Sequence, residues 1–188
     1  YFAHVDGEPR YDGVAAFLAS RGIEIPHGDP SDPSGAVTVC GLGNRKNDEV
    51  NRILERDGVD PYPGSLRLLD ALREHRTALA VVSSSANAET VLTAAGIRDR
   101  FSVVVDGAVA RRENLPGKPA PDTFVAAAER LGVPVGRCVV LEDAESGVAA
   151  GRAGGFGLVV GVDRGAGRDR LTASGADVVV DDLAELLP

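Results

Sequence analysis

Three short polar segments of this sequence carry side chains suited to phosphate and metal chemistry. The first, Val81–Asn87, lies between a predicted strand and a predicted helix. Its polar side chains are those of Ser83, Ser84, Ser85 and Asn87. Hydroxyl groups and backbone N–H groups at the start of a helix can bind an anion. Serine and asparagine are also common helix N-caps, so capping is an equal alternative for this segment.

The second segment, Leu115–Asp122, places Lys118 among three prolines just before a predicted helix. Proline restricts the backbone, so this lysine is expected to hold a defined position. A cation held in this way can neutralise the charge of a phosphoryl group during its transfer. A solvated lysine would have no need of such rigidity.

The third segment, Val139–Gly147, places the adjacent carboxylates Glu142 and Asp143 at the end of a predicted strand. Neighbouring carboxylates repel each other, and a bound Mg²⁺ ion would relieve the repulsion through oxygen ligands. Alternatively, Asp143 caps the following helix, while Glu142 and Glu145 stabilise its positive end. The residues alone leave both interpretations open.

The elements that must position these segments alternate between strand and helix from residue 63 onward. Apolar runs predict strands at Ala78–Val82, Val103–Val105, Cys138–Leu141, Gly157–Gly161 and Val178–Val180. Helical spacing predicts helices at Ser65–His75, Ala88–Ala95, Pro121–Leu131 and Glu145–Ala153. Because the strands are apolar throughout, the sequence predicts a parallel, doubly wound α/β sheet with helices on both faces. Ligands usually bind at the carboxyl ends of such strands.

Residues 1–60 do not follow this alternation and predict a small helical subdomain before the α/β domain of residues 61–188. Helices are expected at Tyr11–Ser20 and Asn47–Arg56. Between them, Ile25–Gly35 is rich in Pro, Gly, Asp and Ser, which is typical of a loop.

The composition argues against several classes of function. The formal net charge is -8, and no basic stripe is present, so nucleic acid is not an expected partner. No apolar stretch approaches the roughly 20 residues that span a bilayer, and no signal peptide is recognisable. We therefore expect a cytoplasmic monomer without a membrane partner. Cys40 and Cys138 lie far apart, and Cys138, inside an apolar run, is expected to be a buried, reduced thiol.

The three polar segments occur in the order and contexts of motifs two, three and four of the haloacid dehalogenase superfamily, which the sequence resembles. Gly7–Gly13 and Asn44–Asp48 resemble the substrate-specificity segments of the β-phosphoglucomutase-like family, and Tyr62–Gly64 resembles its return into the core. The resemblance covers nearly the whole chain. It implies a Rossmann-like core with a small α-helical cap, and Mg²⁺-dependent phosphoryl transfer on a small phosphorylated sugar.

The resemblance also implies roles for the residues of the core. Ser83 and Lys118 would bind the transferring phosphoryl group. Glu142 and Asp143 would complete the Mg²⁺ site.

A second group of residues would bind the rest of the substrate. These are Arg10, Lys46, Asn47, Ser84, Ser85 and Asn87. Arg10 would clamp the phosphate at the far end of the sugar with its guanidinium fork. Lys46 and Asn47 could equally be solvated residues at the start of a helix. Gly13 and Ala86 depart from the serine and lysine of the family pattern, which leaves the exact sugar open.

The family's nucleophile and its general acid–base, two aspartates of an Asp-x-Asp-Gly motif, do not occur in this sequence. The nearest imitation is Asp106-Gly107, where we interpret Asp106 as a turn residue that ends a strand. In the family, the nucleophile strand lies between the strand ending at Val82 and the one ending at Leu141. We therefore expect an additional N-terminal segment, and a gap of about 9.5 Å between those two strands.

The leading hypothesis is a mutase that converts β-glucose 1-phosphate into glucose 6-phosphate through a bisphosphate intermediate. The first alternative is a phosphatase that uses the same aspartyl phosphate, because the core motifs do not distinguish water from a sugar hydroxyl as the acceptor. The second is a non-catalytic or truncated binding domain, because the sequence lacks the nucleophile.

Overall fold

The computed structural model describes residues 9–188, so Gly7 and Glu8 of the first resemblance segment lie outside the described residues. The helices of this part of the chain are α1 (Arg10–Ala19), α2 (Val39–Asp57), α3 (Pro63–Glu74), α4 (Ala88–Ala94), α5 (Gly107–Glu113), α6 (Asp122–Leu131), α7 (Glu145–Ala153) and α8 (Arg168–Ala173). The strands are β1 (Ala80–Val82), β2 (Val103–Val105), β3 (Val139–Glu142), β4 (Leu158–Val162) and β5 (Val178–Val180). Single turns of 3-10 helix lie at Arg98–Arg100, Val135–Arg137 and Leu183–Leu186.

The strands form two parallel sheets, which confirms the predicted α/β class. In the first sheet β1 pairs with β2, with Val81 opposite Val104. In the second, β3, β4 and β5 pair in that order, with Leu141 opposite Val160 and Val160 opposite Val178. Within residues 9–188, β1 and β3 are not hydrogen-bonded to each other. In this part of the chain β1 pairs only with β2 and β3 only with β4, which is compatible with a further strand between them.

Helix α6 joins the two sheets. It packs on β1 and β2, while its Phe124 is buried in the apolar cluster of the second sheet with Val140 and Val159. Val82 of β1 packs against the same cluster. Helices α7 and α8 cover the second sheet. Burial of this shared apolar surface holds the carboxyl ends of the two sheets in one arrangement.

Helix α2 begins at Val39, eight residues before the predicted start at Asn47. Thr38 caps it, because its hydroxyl accepts a hydrogen bond from the backbone N–H of Gly41 at 2.9 Å. Glycine weakens a helix prediction, but Gly43 is required here by close packing of α1. A Cβ atom at Gly43 would lie 2.8 Å from the ring of Tyr11. Tertiary contact therefore overrides the low helix propensity of this segment.

Asp106 ends β2, as predicted, but it also begins a helix that the sequence pattern does not predict. Its carboxylate accepts hydrogen bonds from the N–H groups of Ala108 at 3.0 Å and Val109 at 2.9 Å, so it caps α5. The residue is only 5% exposed. Asp106 therefore ends its strand as predicted, but its side chain caps a helix. The sequence pattern does not predict α5 because its seven residues are too few for a clear helical period.

Helix α8 was also not predicted. It has six residues and follows a glycine-containing loop. None of the helices in residues 9–188 has the length and apolar character needed to cross a lipid bilayer.

Replacing Thr38 with alanine tests the cap of α2. We expect a loss of about 1 kcal/mol in the free energy of unfolding, because the N–H of Gly41 loses its partner. Thr38→Ser keeps the hydroxyl and should remain close to the wild type. Urea unfolding of both variants checks this, and equal losses would show that the methyl group, rather than the cap, stabilises the helix.

Candidate functional site

The polar loop after β1 is held in place by the end of β2. The N–H of Ser83 donates to the carbonyl of Val105 at 3.0 Å, and the N–H of Gly107 donates to the carbonyl of Ser85 at 3.1 Å. A Cβ atom at Gly107 would lie 2.4 Å from the carbonyl oxygen of Ser84. The start of α5 therefore fixes the backbone of this loop, and only glycine fits at the point of contact.

Two serine hydroxyls of this loop accept local hydrogen bonds. The Oγ of Ser83 accepts from the N–H of Ser85 at 3.1 Å, and the Oγ of Ser85 accepts from the N–H of Asn87 at 3.2 Å. A hydroxyl that accepts in this way still has its own proton to donate. Ser83 and Ser85 can therefore donate to an anion at this loop.

Asn87 stands at the N-cap position of α4, but its side chain does not cap the helix. Its amide Nδ2 donates instead to the Oδ1 of Asn47 in α2, at 2.6 Å. The alternative of simple capping is therefore wrong for Asn87. Capping by a side chain would leave this amide facing its own helix, whereas it reaches a residue 40 positions away.

Lys118 and Glu142 form a buried ion pair between Nζ and Oε1. They are 7% and 9% exposed. The other carboxylate oxygen, Oε2, accepts from the N–H groups of Asp143 and Ala144, each at 3.2 Å. The Lys118 Nζ also lies 4.9 Å from the ring centre of Phe124. Both charges are therefore compensated within the chain, as burial in a low dielectric requires.

Gly147 makes room for the carboxylate of Glu142. A Cβ atom at this position would lie 2.2 Å from the Cδ of Glu142. The glycine of the third polar segment is therefore a packing requirement of the ion pair.

Asp143 is exposed and does not cap α7, whose N-cap residue is Ala144 without a side-chain cap. The capping alternative for Asp143 is therefore wrong. The argument from carboxylate repulsion also needs correction, because Lys118 already balances the charge of Glu142.

The oxygen donors of Glu142 and Asp143 nevertheless fit Mg²⁺ in kind. This ion is usually held by one or two carboxylates, with water and substrate phosphate completing its shell. Residues 9–188 contain no group of three or more His, Cys, Asp or Glu that could hold a metal alone. The two carboxylates can therefore supply part of a Mg²⁺ shell and not the whole of it.

Arg10 and Asn47 meet at the interface of α1 and α2. The Nη2 of Arg10 donates to the Oδ1 of Asn47 at 2.6 Å, and its Nη1 lies 3.4 Å from the Oδ1 of Asn44. The hydroxyl of Tyr11 donates to the same oxygen of Asn44 at 2.9 Å. Asn44 was not among the predicted site residues, although it lies in the Asn44–Asp48 segment, one helical turn before Asn47.

Lys46 lies elsewhere. It is exposed and lines a groove together with Arg45 and Arg52. The structure does not place it with Arg10, Asn47 and Asn87.

The two cysteines belong to neither cluster. Cys40 is buried and, contrary to expectation, Cys138 is only half-buried; both are free thiols. Burial raises the pKa of both thiols, and the carboxylates of Asp32 and Asp29 raise that of Cys40 further. A raised pKa leaves little thiolate near neutral pH, so neither is an activated nucleophile.

Comparison with known proteins shows which proteins this chain resembles. A family model described as haloacid dehalogenase-like hydrolase matches residues 9–155. The chain is 54% identical to a β-phosphoglucomutase from Mycobacterium bovis, over 100% of this chain and 72% of that protein. It is 37% identical to a fructose-1-phosphate phosphatase from Escherichia coli, over 61% of this chain and 59% of that protein.

The fold is also shared with solved structures. A β-phosphoglucomutase from Clostridium difficile superposes with a TM-score of 0.79 at 23% identity, covering 97% of this chain and 74% of that one. At this level of identity the likeness shows the fold alone.

Replacing Lys118 with methionine tests the buried pair. We expect the free energy of unfolding to fall by about 3 kcal/mol, because Glu142 would remain buried without its cation. The double variant Lys118→Met, Glu142→Gln removes both charges and should recover most of this loss. Chemical unfolding checks both, and a double variant as unstable as the single one would contradict the role of charge pairing.

Proposed function

Because the chain belongs to the haloacid dehalogenase-like hydrolase family, we propose that it performs phosphoryl transfer of the β-phosphoglucomutase type. The reaction would convert β-glucose 1-phosphate into glucose 6-phosphate through an aspartyl phosphate. The observation that carries this proposal is the 54% identity, over the full length of the chain, to the mycobacterial β-phosphoglucomutase. The arrangement of polar residues at the strand ends supports it.

Ser83 and Lys118 would receive the transferring phosphoryl group. The hydroxyl of Ser83 has a proton to donate, and its backbone is anchored to Val105 at 3.0 Å. Lys118 supplies a fixed positive charge, and its pairing with Glu142 keeps it in place before the substrate arrives. A donor that is already oriented, as the hydroxyl of Ser83 would be, stabilises developing negative charge without reorganisation.

Glu142 and Asp143 would hold Mg²⁺. When bound, the ion would neutralise charge on the phosphoryl oxygens and orient them. Asp143 is exposed, so its carboxylate can accept a ligand without loss of an internal contact. Glu142 can turn to a new cation only by exchanging its bond to Lys118, which would free that lysine for the phosphoryl group.

Arg10, Ser85 and Asn87 would bind the phosphate that is not being transferred. A mutase must hold a sugar that carries a second phosphate, and a guanidinium group suits this because it donates two parallel hydrogen bonds. The contacts of Asn47 with both Arg10 and Asn87 support the proposal that these donors act at one place. Lys46 is retained as a candidate sugar contact on resemblance alone.

The nucleophile is not among the 188 residues, which contain no Asp-x-Asp-Gly motif. We propose that it belongs to a segment that is not part of this sequence and that would lie between β1 and β3 in space. The lack of pairing between these two strands within residues 9–188 supports this. The chain spans 72% of the mycobacterial relative.

A phosphatase is the second candidate function. The relative from Escherichia coli, a fructose-1-phosphate phosphatase, favours it. In that case water would replace the sugar hydroxyl as the acceptor, and the residues that bind the transferring phosphoryl group would be the same.

Product analysis of the full gene product separates these functions. With Mg²⁺, β-glucose 1-phosphate and a trace of glucose 1,6-bisphosphate, we expect glucose 6-phosphate as the main product, measured with a coupled dehydrogenase. Stoichiometric inorganic phosphate instead would identify a phosphatase. No turnover by a purified protein whose intact mass is that of these residues alone, 19.4 kDa, would identify a binding domain.

Arg10→Ala tests the assignment of the second phosphate. We expect the affinity for glucose 1,6-bisphosphate to fall about 10- to 100-fold, because a charge-assisted hydrogen bond is lost. Arg21→Ala is the matched control, since this arginine lies over the ring of Phe17 beyond the end of α1. Titration calorimetry of both variants measures the effect, and unchanged affinity in Arg10→Ala would refute the assignment.

A further inference from the structure

We infer that Asn47 is a positioning residue that ties the cap to the core through one oxygen, and thereby assembles the clamp for the second phosphate. This inference rests on the proposed function. It assigns Asn47 a role different from that of a direct substrate ligand, which the resemblance implied. The carrying observation is that two donors from different parts of the chain converge on the Oδ1 of this residue.

The two donors occupy this oxygen fully. The Nη2 of Arg10 and the Nδ2 of Asn87 each lie 2.6 Å from the Oδ1 of Asn47. An amide oxygen has two lone pairs, so two such bonds leave it no capacity for a sugar hydroxyl. The oxygen of Asn47 therefore holds Arg10 and Asn87 in position rather than binding the substrate.

The two hydrogen bonds to the Oδ1 of Asn47 form a tie between distant parts of the chain. Arg10 begins α1, Asn47 lies in α2, and Asn87 directly precedes α4; the separations are 37 and 40 residues. Asn87 is part of the loop that carries Ser83 and Ser85, because its N–H donates to the Oγ of Ser85. Holding Asn87 therefore also holds the distal end of that loop against α2.

Within the part of the chain that the structure describes, the side-chain hydrogen bonds of Arg10 go to neutral groups. Its partners, Asn47 and Asn44, are neutral amides. Within residues 9–188, no carboxylate forms an ion pair with it, in contrast to Lys118. A half-buried guanidinium that is oriented by neutral oxygens can still attract an anion strongly, because these oxygens do not neutralise its charge.

The geometry also brings the donors close enough to act together. Because Arg10 and Asn87 both reach one oxygen of Asn47, they lie close enough for a single phosphate to accept from both. Arg10 has five N–H donors and Asn87 has two, so donors remain on each residue after the bonds to Asn47. Asn44 orients the guanidinium from one helical turn away, and is itself held by Tyr11 and by the carbonyl of Asp32.

A double-mutant cycle on the full gene product tests this inference. The probe is glucose 1,6-bisphosphate, titrated calorimetrically into Mg²⁺-free protein so that no turnover occurs. We expect Asn47→Ala to weaken binding about tenfold. In an Arg10→Ala, Asn87→Ala background the same substitution should weaken it further by less than twofold, because Asn47 acts through these two residues. Asn51→Ala, one turn along α2, is the matched control and should bind like the wild type.

Two results of this titration would overturn the inference. If Asn47→Ala causes its full loss in the Arg10→Ala, Asn87→Ala background as well, Asn47 binds the ligand independently. If Asn47→Ala binds as tightly as Asn51→Ala, the tie has no role in binding. Asn47→Ser serves as a second variant in case the alanine variant does not fold, and the same cycle applies to it.

Unfolding of the same variants separates this inference from the proposed function. Asn47→Ala should lower the urea midpoint, and adding Asn87→Ala should lower it little further, since the shared bond is already lost. If the wild type does not bind the bisphosphate and this coupling is present, the proposed function fails and the tie stands. If the two midpoint shifts add, the tie itself is refuted.

Discussion

The buried ion pair between Lys118 and Glu142 is the interaction on which the candidate site depends. Two charges removed from water must be paired and hydrogen-bonded, or the fold loses several kcal/mol, about 3 to 5 when one partner is missing. The pair joins the loop before α6 to the end of β3. Gly147 accommodates the carboxylate and Phe124 lies beside the ammonium group. Since α6 also packs on both sheets, the pair and the apolar core fix the same parts of the chain.

The candidate site contains two cations that are held in different ways. Lys118 is paired with a carboxylate, so an anion can engage it fully only if Glu142 finds another cation. Arg10 is oriented by two neutral amides, and within residues 9–188 it has no carboxylate partner to exchange. This contrast suits a reaction in which one phosphate is bound throughout and the other is transferred. Under the proposed function, the first phosphate would use a constant clamp. The second would use the charge of Lys118, which Mg²⁺ bound by Glu142 and Asp143 would make available.

The parallel arrangement of strands connects these groups to the backbone. Carboxyl ends of parallel strands meet at one edge, and the loops after β1, β2 and β3 all carry polar residues there. The loop after β1 is anchored by Val105 and Gly107 of the next strand and helix. The hydrogen bond between Asn47 and Asn87 joins α2 to the loop after β1 at this edge. The hydroxyls, the cations and the carboxylates are thus positioned by separate elements whose relative placement the core enforces.

The sequence by itself determined the class of fold, the order of the polar segments and the approximate positions of most elements. β2, β5 and α7 have the bounds that apolar runs and helical spacing predict, because burial on both faces of a strand and on one face of a helix is a local pattern. Only the tertiary structure decided that Lys118 pairs with Glu142, that Asn87 reaches Asn47, and that α2 starts at Val39. These depend on residues 24 to 40 positions apart, or on the ring of Tyr11 against Gly43. Periodicity and propensity report only on near neighbours in the chain, so contacts made by folding distant segments together leave no signal in them.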